Sequence, residues 1–194
     1  MAIKHIYATY DWKSIPLSSG DYKFCPYCAT ALTIQEIDER PRPTCPQCNY
    51  VQFKNPAPAI SVLVADGDQV LLLQRQAQLG YGKWALPSGY IEYGEDFLST
   101  AQREVKEETG LDVEILAILN VESAFLSPRL HFFTAYLLAH PIHSTESPPV
   151  PTPNQESMAI GWFPICGPLP DMAFEPDRAL ISAYAQGNLP SLPL

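Results

Sequence analysis

The chain has 194 residues, 46% of them hydrophobic, and a formal net charge of −9 at pH 7. This length suits one medium-sized domain with a small additional module. No apolar run reaches 18 residues and the start lacks the apolar stretch of a signal peptide, so we expect no membrane span and a cytoplasmic location. An acidic chain does not attract nucleic-acid phosphates over long range, but a phosphorylated small molecule could still bind through metal cations.

Four of the five cysteines form two C-x-x-C pairs, Cys25/Cys28 and Cys45/Cys48, with sixteen residues between the pairs. Two such pairs can supply four thiolates to one tetrahedral Zn²⁺, which leaves no open coordination position and indicates a structural zinc ion. The metal would fold a segment that is too short to bury a sufficient core. The alternative is two redox pairs or a disulfide, and disulfides are rarely stable in the cytoplasm.

A small zinc module of this kind could also bind nucleic acid. Residues 21–55 contain four basic and four acidic side chains, so no basic patch is visible and we expect no nucleic-acid partner. The fifth cysteine, Cys166, stands alone and is expected to be an ordinary buried thiol.

The region after the cysteine pairs alternates strands with one clear helix. Asp66-Gly67-Asp68 separates two apolar runs, which is a strong hairpin signal. A helix is predicted from about Asp96 to Thr109, with Gly110 in the left-handed position that ends it. Further strands are predicted at 111–121, 130–138 and 159–163, a proline-rich loop at 140–156, and a last helix at 177–186. We therefore predict an α/β fold, with an N-terminal segment and ribbon over residues 1–54 and the main domain over 55–194.

The predicted helix carries acidic side chains where they are electrostatically disfavoured. At 100° per residue, Glu104 and Glu108 lie in line with Phe97, beside the core-facing stripe of Ala101 and Val105. Both carboxylates are close to the negative end of the helix dipole, and they repel each other at i, i+4. Buried carboxylates either take up a proton or find a cation, and a group of them favours a divalent metal such as Mg²⁺.

The competing interpretation is a solvated acidic helix end in which Arg103 pairs with Glu107. The surrounding sequence favours the metal. It resembles the Nudix box, G-x5-E-x7-R-E-U-x-E-E-x-G-U with U aliphatic, at every specified position: Gly89, Glu95, Arg103, Glu104, Val105, Glu107, Glu108, Gly110 and Leu111. With the cysteine pairs and Asn55-Pro56 upstream, the chain resembles the Nudix hydrolases that carry an N-terminal zinc ribbon.

This resemblance implies a Nudix α/β/α sandwich with a mixed sheet, preceded by a small zinc ribbon. It also implies metal-dependent hydrolysis of the pyrophosphate bond in a nucleoside diphosphate linked to another group, with release of a nucleoside monophosphate. ADP-ribose, NADH and FAD are the expected substrate types. The S-Q-P-W-P-F-P segment of NADH pyrophosphatases is absent, since residues 120–129 read NVESAFLSPR.

Roles are carried over from the resemblance position by position. Glu104 and Glu108 would bind Mg²⁺ or Mn²⁺, supported by Glu107 and by a backbone carbonyl near Ser88 or Gly89. Arg103 would hold the carboxylates in position, while Glu95 would anchor Arg103 or reach a further metal ion. Gly89 would permit the close turn that brings this loop to the metal.

The general base is left open between a box glutamate such as Glu107 and the loop residue Glu156, with Glu122 a weaker candidate. Aromatic residues after the box could stack on a base, although their spacing is more typical of a core: Phe125, Phe132, Phe133 and Tyr136. A different class of function is a non-catalytic regulator that binds a nucleotide or nucleic acid, and a narrower one is action on capped RNA ends. By analogy with relatives, we also expect a homodimer.

Overall fold

The computed structural model describes residues 4–14, 21–142, 151, 157–189 and 192–194. The chain divides into two compact units. The sheet unit comprises Met1–Tyr7, Pro58–Ser123 and Phe133–Leu194, and the ribbon unit comprises Ala8–Ala57 and Ala124–Phe132. The predicted α/β sandwich with a small cysteine-rich module is confirmed. The boundary at residue 55 stays a prediction.

Strands contain more of the described residues than helices do. They are β1 Ile6–Ala8, β2 Thr33–Ile37, β3 Arg40–Thr44, β4 Ala57–Asp66, β5 Gln69–Arg75, β6 Trp84–Ala85, β7 Ser88–Tyr90, β8 Val113–Ser127, β9 Leu130–Pro141, β10 Ser157–Pro164 and β11 Leu192–Pro193. The main sheet runs in the order β1-β8-β9-β4-β5-β10, with β6 on β5, β7 on β4 and β11 on β8. The helices are α1, Phe97–Thr109, and α2, Glu175–Ala185.

Strands β4 and β5 form the predicted hairpin at the centre of the sheet unit. Ala65 pairs with Val70 and Asp66 with Gln69, and Gly67 has φ +58° in the turn, a conformation that glycine adopts readily. Residues 60–65 of β4 and 70–73 of β5 are buried because a helix covers each face of the sheet.

The two faces of β4 follow the alternation of its side chains. Ile60, Val62 and Val64 pack in one apolar cluster with Ala101 and Val105 of α1. Leu63 and Ala65 pack in the other cluster, which contains Leu180 and Ile181 of α2. Because successive side chains of a strand point to opposite faces, α1 and α2 lie on opposite sides of the sheet.

Helix α1 begins and ends where the sequence predicts. The Asp96 side chain caps it by accepting hydrogen bonds from the amides of Leu98 and Ser99 at 2.9 and 3.0 Å. Gly110 ends it with φ 76°, and its amide donates to the carbonyl of Lys106. These caps fix which residues occupy the last two turns, and therefore the face on which the acidic side chains lie.

An aromatic stack lies within the ribbon unit. Trp12 stacks on Phe125 with ring centroids 4.2 Å apart, and His131 stacks on Phe125 at 3.9 Å. Two rings cannot stack on the same face, so both faces of Phe125 are covered. Among the described residues, no helix is long and apolar enough to cross a membrane.

Candidate metal and catalytic site

The site is built where the segment leading into β7 meets the last turns of α1. The Ser88 amide donates to Oε2 of Glu108 at 2.9 Å. Gly89 pairs with Ile60 in the sheet, and a Cβ atom at Gly89 would lie 2.0 Å from Cδ of Glu104. Gly89 is needed because the Glu104 carboxylate occupies the space of a side chain. It has no positive φ, so the tight-turn role expected for it is wrong.

The three box carboxylates on α1 differ in their exposure. Glu108 is 7% exposed and the Glu104 side chain 14% exposed, whereas the Glu107 side chain is 58% exposed. The first two lie on the edge of the helix that faces the sheet, as the helical projection predicts. Glu107 lies on the flank, where it can reach solvent and a bound ligand.

Arg103 connects these carboxylates. Its Nε and Nη2 donate to the two oxygens of Glu95 at 2.7 and 2.8 Å, and its Nη1 donates to Glu104 at 2.9 Å and to Glu107 at 3.0 Å. The hydrogen bonds from Arg103 lower the pKa of Glu95 to about 2, with a further contribution from Thr100. The planar guanidinium group suits this geometry, since it can bind one carboxylate bidentately and still reach others.

The donor set fits a hard divalent cation. Glu104 and Glu108 bring carboxylate oxygens to the backbone of Ser88 and Gly89, and oxygen ligands are those that Mg²⁺ and Mn²⁺ prefer. Two carboxylates of low exposure at i, i+4 repel each other, and a divalent cation between them would offset that repulsion. The predicted box residues therefore come together in one place.

The second candidate centre is the cysteine cluster of the ribbon unit. The four Sγ atoms of Cys25, Cys28, Cys45 and Cys48 all lie within 4.8 Å of one another. Sγ of Cys28 lies 3.5 Å from that of Cys45 and 3.7 Å from that of Cys48. Sulfurs bound at 2.3 Å to a tetrahedral Zn²⁺ are about 3.8 Å apart, so the cluster matches a four-thiolate site closely.

The two cysteine pairs are structurally equivalent. The Cys25 amide donates to the carbonyl of Thr30 and the Cys45 amide to that of Tyr50, both at 2.8 Å. The residue after each second cysteine, Ala29 or Asn49, has φ 59°. This left-handed residue turns the chain so that both thiols of a pair point to the same place. Repetition of a strained geometry indicates that the cluster is a built site.

Proximity of the sulfurs perturbs their titration. Hydrogen bonding with Thr30 lowers the pKa of Cys28 to about 6. The Tyr50 amide lowers the pKa of Cys48, but its contacts with Cys25 and Cys45 outweigh that effect and raise the pKa to about 12. Four adjacent thiols cannot all ionise without a cation, and a bound cation would deprotonate them.

The remaining predicted residues have different outcomes. Glu156 falls outside the described residues, so its role stays a prediction. Glu122 is buried, its Oε1 has no hydrogen-bond partner, and burial together with the nearby Asp177 raises its pKa to about 7. Cys166 is exposed, so the expectation of a buried thiol is wrong.

Two of the aromatic candidates cannot stack on a substrate base as they stand. Phe125 has both faces covered by rings, and Tyr136 is only 5% exposed in the core of the sheet unit. Phe133 is 48% exposed and remains accessible. One polar residue near the site was not predicted: Asp177 in the first turn of α2, which accepts a hydrogen bond from the Leu86 amide at 3.1 Å. Its acidic character at a helix start is unremarkable in sequence, and only the fold places it against that amide.

Comparison with known proteins identifies the family. Residues 55–184 match the model of the NUDIX domain. The chain belongs to the NUDIX domain family. The prediction of a Nudix hydrolase domain is thereby confirmed.

Several curated relatives carry hydrolase names. NAD-capped RNA hydrolase NudC of Pseudomonas aeruginosa (strain LESB58) is 34% identical over 101 residues, which is 52% of this chain and 35% of that protein. NudC of Chromobacterium violaceum is 32% identical over 144 residues, 74% of this chain and 51% of the relative. 8-oxo-dGDP phosphatase NUDT18 of Mus musculus is 32% identical over 105 residues, 54% of this chain and 31% of the relative. The matches span about a third to a half of the length of these relatives.

Among solved structures, a NUDIX hydrolase from Nitrosomonas europaea superposes with a TM-score of 0.70 at 25% identity. The match covers 85% of this chain and 91% of that one. The superposed part covers 85% of this chain, which is longer than residues 55–184, so the similarity is not confined to the NUDIX domain.

Proposed function

We propose that this Nudix domain hydrolyses the pyrophosphate bond of a nucleoside diphosphate linked to another group, with Mg²⁺ or Mn²⁺ held by Glu104 and Glu108. The observation that carries the proposal is the joint placement of these carboxylates against Ser88 and Gly89, with room for the Glu104 carboxylate only because residue 89 has no side chain. The complete Nudix box supports it, because each specified residue is present and Arg103 contacts Glu95, Glu104 and Glu107.

A bound divalent cation would neutralise phosphate charge and lower the pKa of a water molecule. The protein's own residues supply the rest. Arg103 holds Glu95, Glu104 and Glu107 in one arrangement, so that the carboxylates are positioned before substrate arrives. The attacking water loses a proton to a carboxylate as it forms a bond to phosphorus, and the P–O bond to the leaving phosphate breaks. Glu107 is a candidate for this base since its side chain is exposed, and Glu156 is the other.

The substrate type is proposed from chemistry and relatives together. ADP-ribose, NADH and FAD contain the pyrophosphate bond that such a site would cleave, and one relative is named an NAD-capped RNA hydrolase. The chain's charge of −9 and the balanced charges of residues 21–55 favour a small nucleotide over a long RNA. We also propose a cytoplasmic location, from the sequence, and a homodimer, by analogy with relatives.

The test is a turnover screen with products resolved by mass. ADP-ribose, NADH, FAD and a short NAD-capped RNA are incubated with Mg²⁺ or Mn²⁺ and the wild type, Glu108→Gln or Asp112→Asn. Gln retains an oxygen for the Ser88 amide, so the fold is kept while the charge is lost. Asp112→Asn makes the same charge change at an exposed residue paired with Lys106. The proposal is supported if the wild type and Asp112→Asn release nucleoside monophosphate and Glu108→Gln does not. No metal-dependent turnover of any substrate would favour a non-catalytic binding protein.

For the cysteine cluster, we infer a structural Zn²⁺. The nearly tetrahedral sulfur spacing and the two equivalent turns support this assignment. Metal content measured by mass spectrometry should give one zinc per chain, and a chelator that removes it should unfold the ribbon unit.

A further inference from the structure

One short segment leads into the metal site, and the two amides on either side of Pro87 are each held by a carboxylate. The Leu86 amide donates to Oδ2 of Asp177 at 3.1 Å, and the Ser88 amide donates to Oε2 of Glu108 at 2.9 Å. Pro87 lies at a bend between β6 and β7 and has no amide hydrogen, so these two amides are consecutive donors of the segment. Two carboxylates from the two helices, one on each face of the sheet, therefore hold neighbouring amides of one segment.

The segment is pinned on its other groups as well. The Pro87 carbonyl accepts from the Val62 amide at 2.8 Å, and upstream the Trp84 carbonyl accepts from the Ala173 amide at 2.7 Å. Leu86 itself is fully buried. Only Pro87 separates Leu86 from Ser88, so a displacement of the Leu86 backbone also displaces Ser88 and Gly89.

Asp177 is buried for this contact. It is 3% exposed, and a carboxyl group so placed is costly unless it is hydrogen-bonded. Burial raises the pKa of Asp177 to about 7, while the hydrogen bond from the Leu86 amide and the charge of Arg75 oppose that rise. Asp177 lies in the first turn of α2, where the helix dipole favours a negative charge, but its carboxylate accepts from the Leu86 amide, which is outside its own helix.

We propose that Asp177 is a positioning residue of the metal site: it holds the Leu86 amide and so fixes the segment that presents Ser88 and Gly89 to Glu108 and Glu104. This inference rests on the proposed function, since it concerns the same metal site. A purely structural role, in which Asp177 only attaches α2 to the sheet, predicts a loss of stability without a change in metal affinity.

The experiment measures Mn²⁺ affinity by electron paramagnetic resonance, and amide exchange at Leu86 and Ser88 in the metal-free protein. Asp177→Ala removes the acceptor and Asp177→Asn retains an oxygen at the same place. Leu180→Ala removes apolar packing of α2 from the cluster that also contains Leu86, but it leaves the hydrogen bond from Leu86 to Asp177 in place. We expect Asp177→Ala to weaken Mn²⁺ binding by about tenfold or more and to speed exchange at both amides. Asp177→Asn should stay within about threefold of the wild type, and Leu180→Ala should bind like the wild type.

Two outcomes would overturn the proposal. In the first, Asp177→Ala binds Mn²⁺ no more weakly than Leu180→Ala does. In the second, Asp177→Asn binds Mn²⁺ as weakly as Asp177→Ala does. If Asp177→Ala does not fold, Asp177→Ser, whose side chain is too short to reach the amide, takes its place in the same comparison. Glu108→Gln separates this proposal from the proposed function. If Glu108→Gln binds Mn²⁺ like the wild type, the metal site itself is wrongly assigned, whereas an effect of Glu108→Gln without one of Asp177→Ala refutes only the role of Asp177.

Discussion

Gly89→Ala should disable the site while leaving the fold nearly intact. The added Cβ would lie 2.0 Å from both Cδ and Oε1 of Glu104 and 2.5 Å from Oε2. Non-bonded carbon atoms need about 3.5–4.0 Å, so the Glu104 carboxylate has to move by about 1.5 Å. Misplacement of a catalytic group by about 1 Å can cost about 100-fold in rate. We therefore expect kcat/KM to fall by at least about 100-fold.

The stability of the variant should change little, because the displaced atoms are the end of a flexible side chain. Loss of the partly exposed Arg103–Glu104 contact costs about 1 kcal/mol or less. Urea unfolding measures this term, and Mn²⁺ binding and turnover measure the site. Gly161→Ala is the matched control, since its Cβ would meet its nearest neighbour, Cε2 of Phe163, at an ordinary 3.6 Å. Wild-type turnover in Gly89→Ala would refute the assignment of Glu104 as a ligand.

The remaining predictions concern three separate features. Arg103→Lys should lower kcat about 10–100-fold, because an ammonium group cannot bind one carboxylate bidentately and reach two others, whereas Lys106→Met on the exposed side of α1 should not. The folded protein binds a proton at Glu122 more tightly than the unfolded chain, so wild-type stability should fall as pH rises from about 4.5 to about 7. Glu122→Gln, measured by urea unfolding, should gain up to about 3 kcal/mol over the wild type between pH 4.5 and pH 8; a pH-independent difference would contradict the burial argument. Cys45→Ser should lose zinc and unfold the ribbon unit, and full zinc content in that variant would exclude the four-thiolate site.

Much of this site could be predicted because the side chains that form it belong to short stretches of the chain. The caps Asp96 and Gly110 fix the ends of α1, and a period of 3.6 residues then places Glu104 and Glu108 on the buried edge. The spacing of the cysteine pairs likewise reflects a local turn that each pair makes by itself. In both cases the interacting side chains belong to one short stretch of chain.

The parts that were missed depend on contacts between distant stretches. Asp177 meets Leu86 across 91 positions, and an acidic residue in the first turn of a helix has an ordinary explanation in the helix dipole. Phe125 is one of the aromatic residues that could stack on a base, but Trp12, 113 positions earlier in the chain, covers one of its faces. The sequence predicts a turn at Gly89 because glycine most often allows unusual backbone dihedral angles. In the structure Gly89 instead makes room for the Glu104 carboxylate.

The most direct test of the central claim is the dependence of ADP-ribose and NADH hydrolysis on Mg²⁺ and Mn²⁺ concentration in the wild type and in Glu108→Gln. We expect saturable metal dependence in the wild type, release of AMP, and a fall of at least about 100-fold at saturating metal in Glu108→Gln, because the lost ligand contributes several kcal/mol. Turnover that needs no divalent metal, or that Glu108→Gln retains in full, would contradict the account.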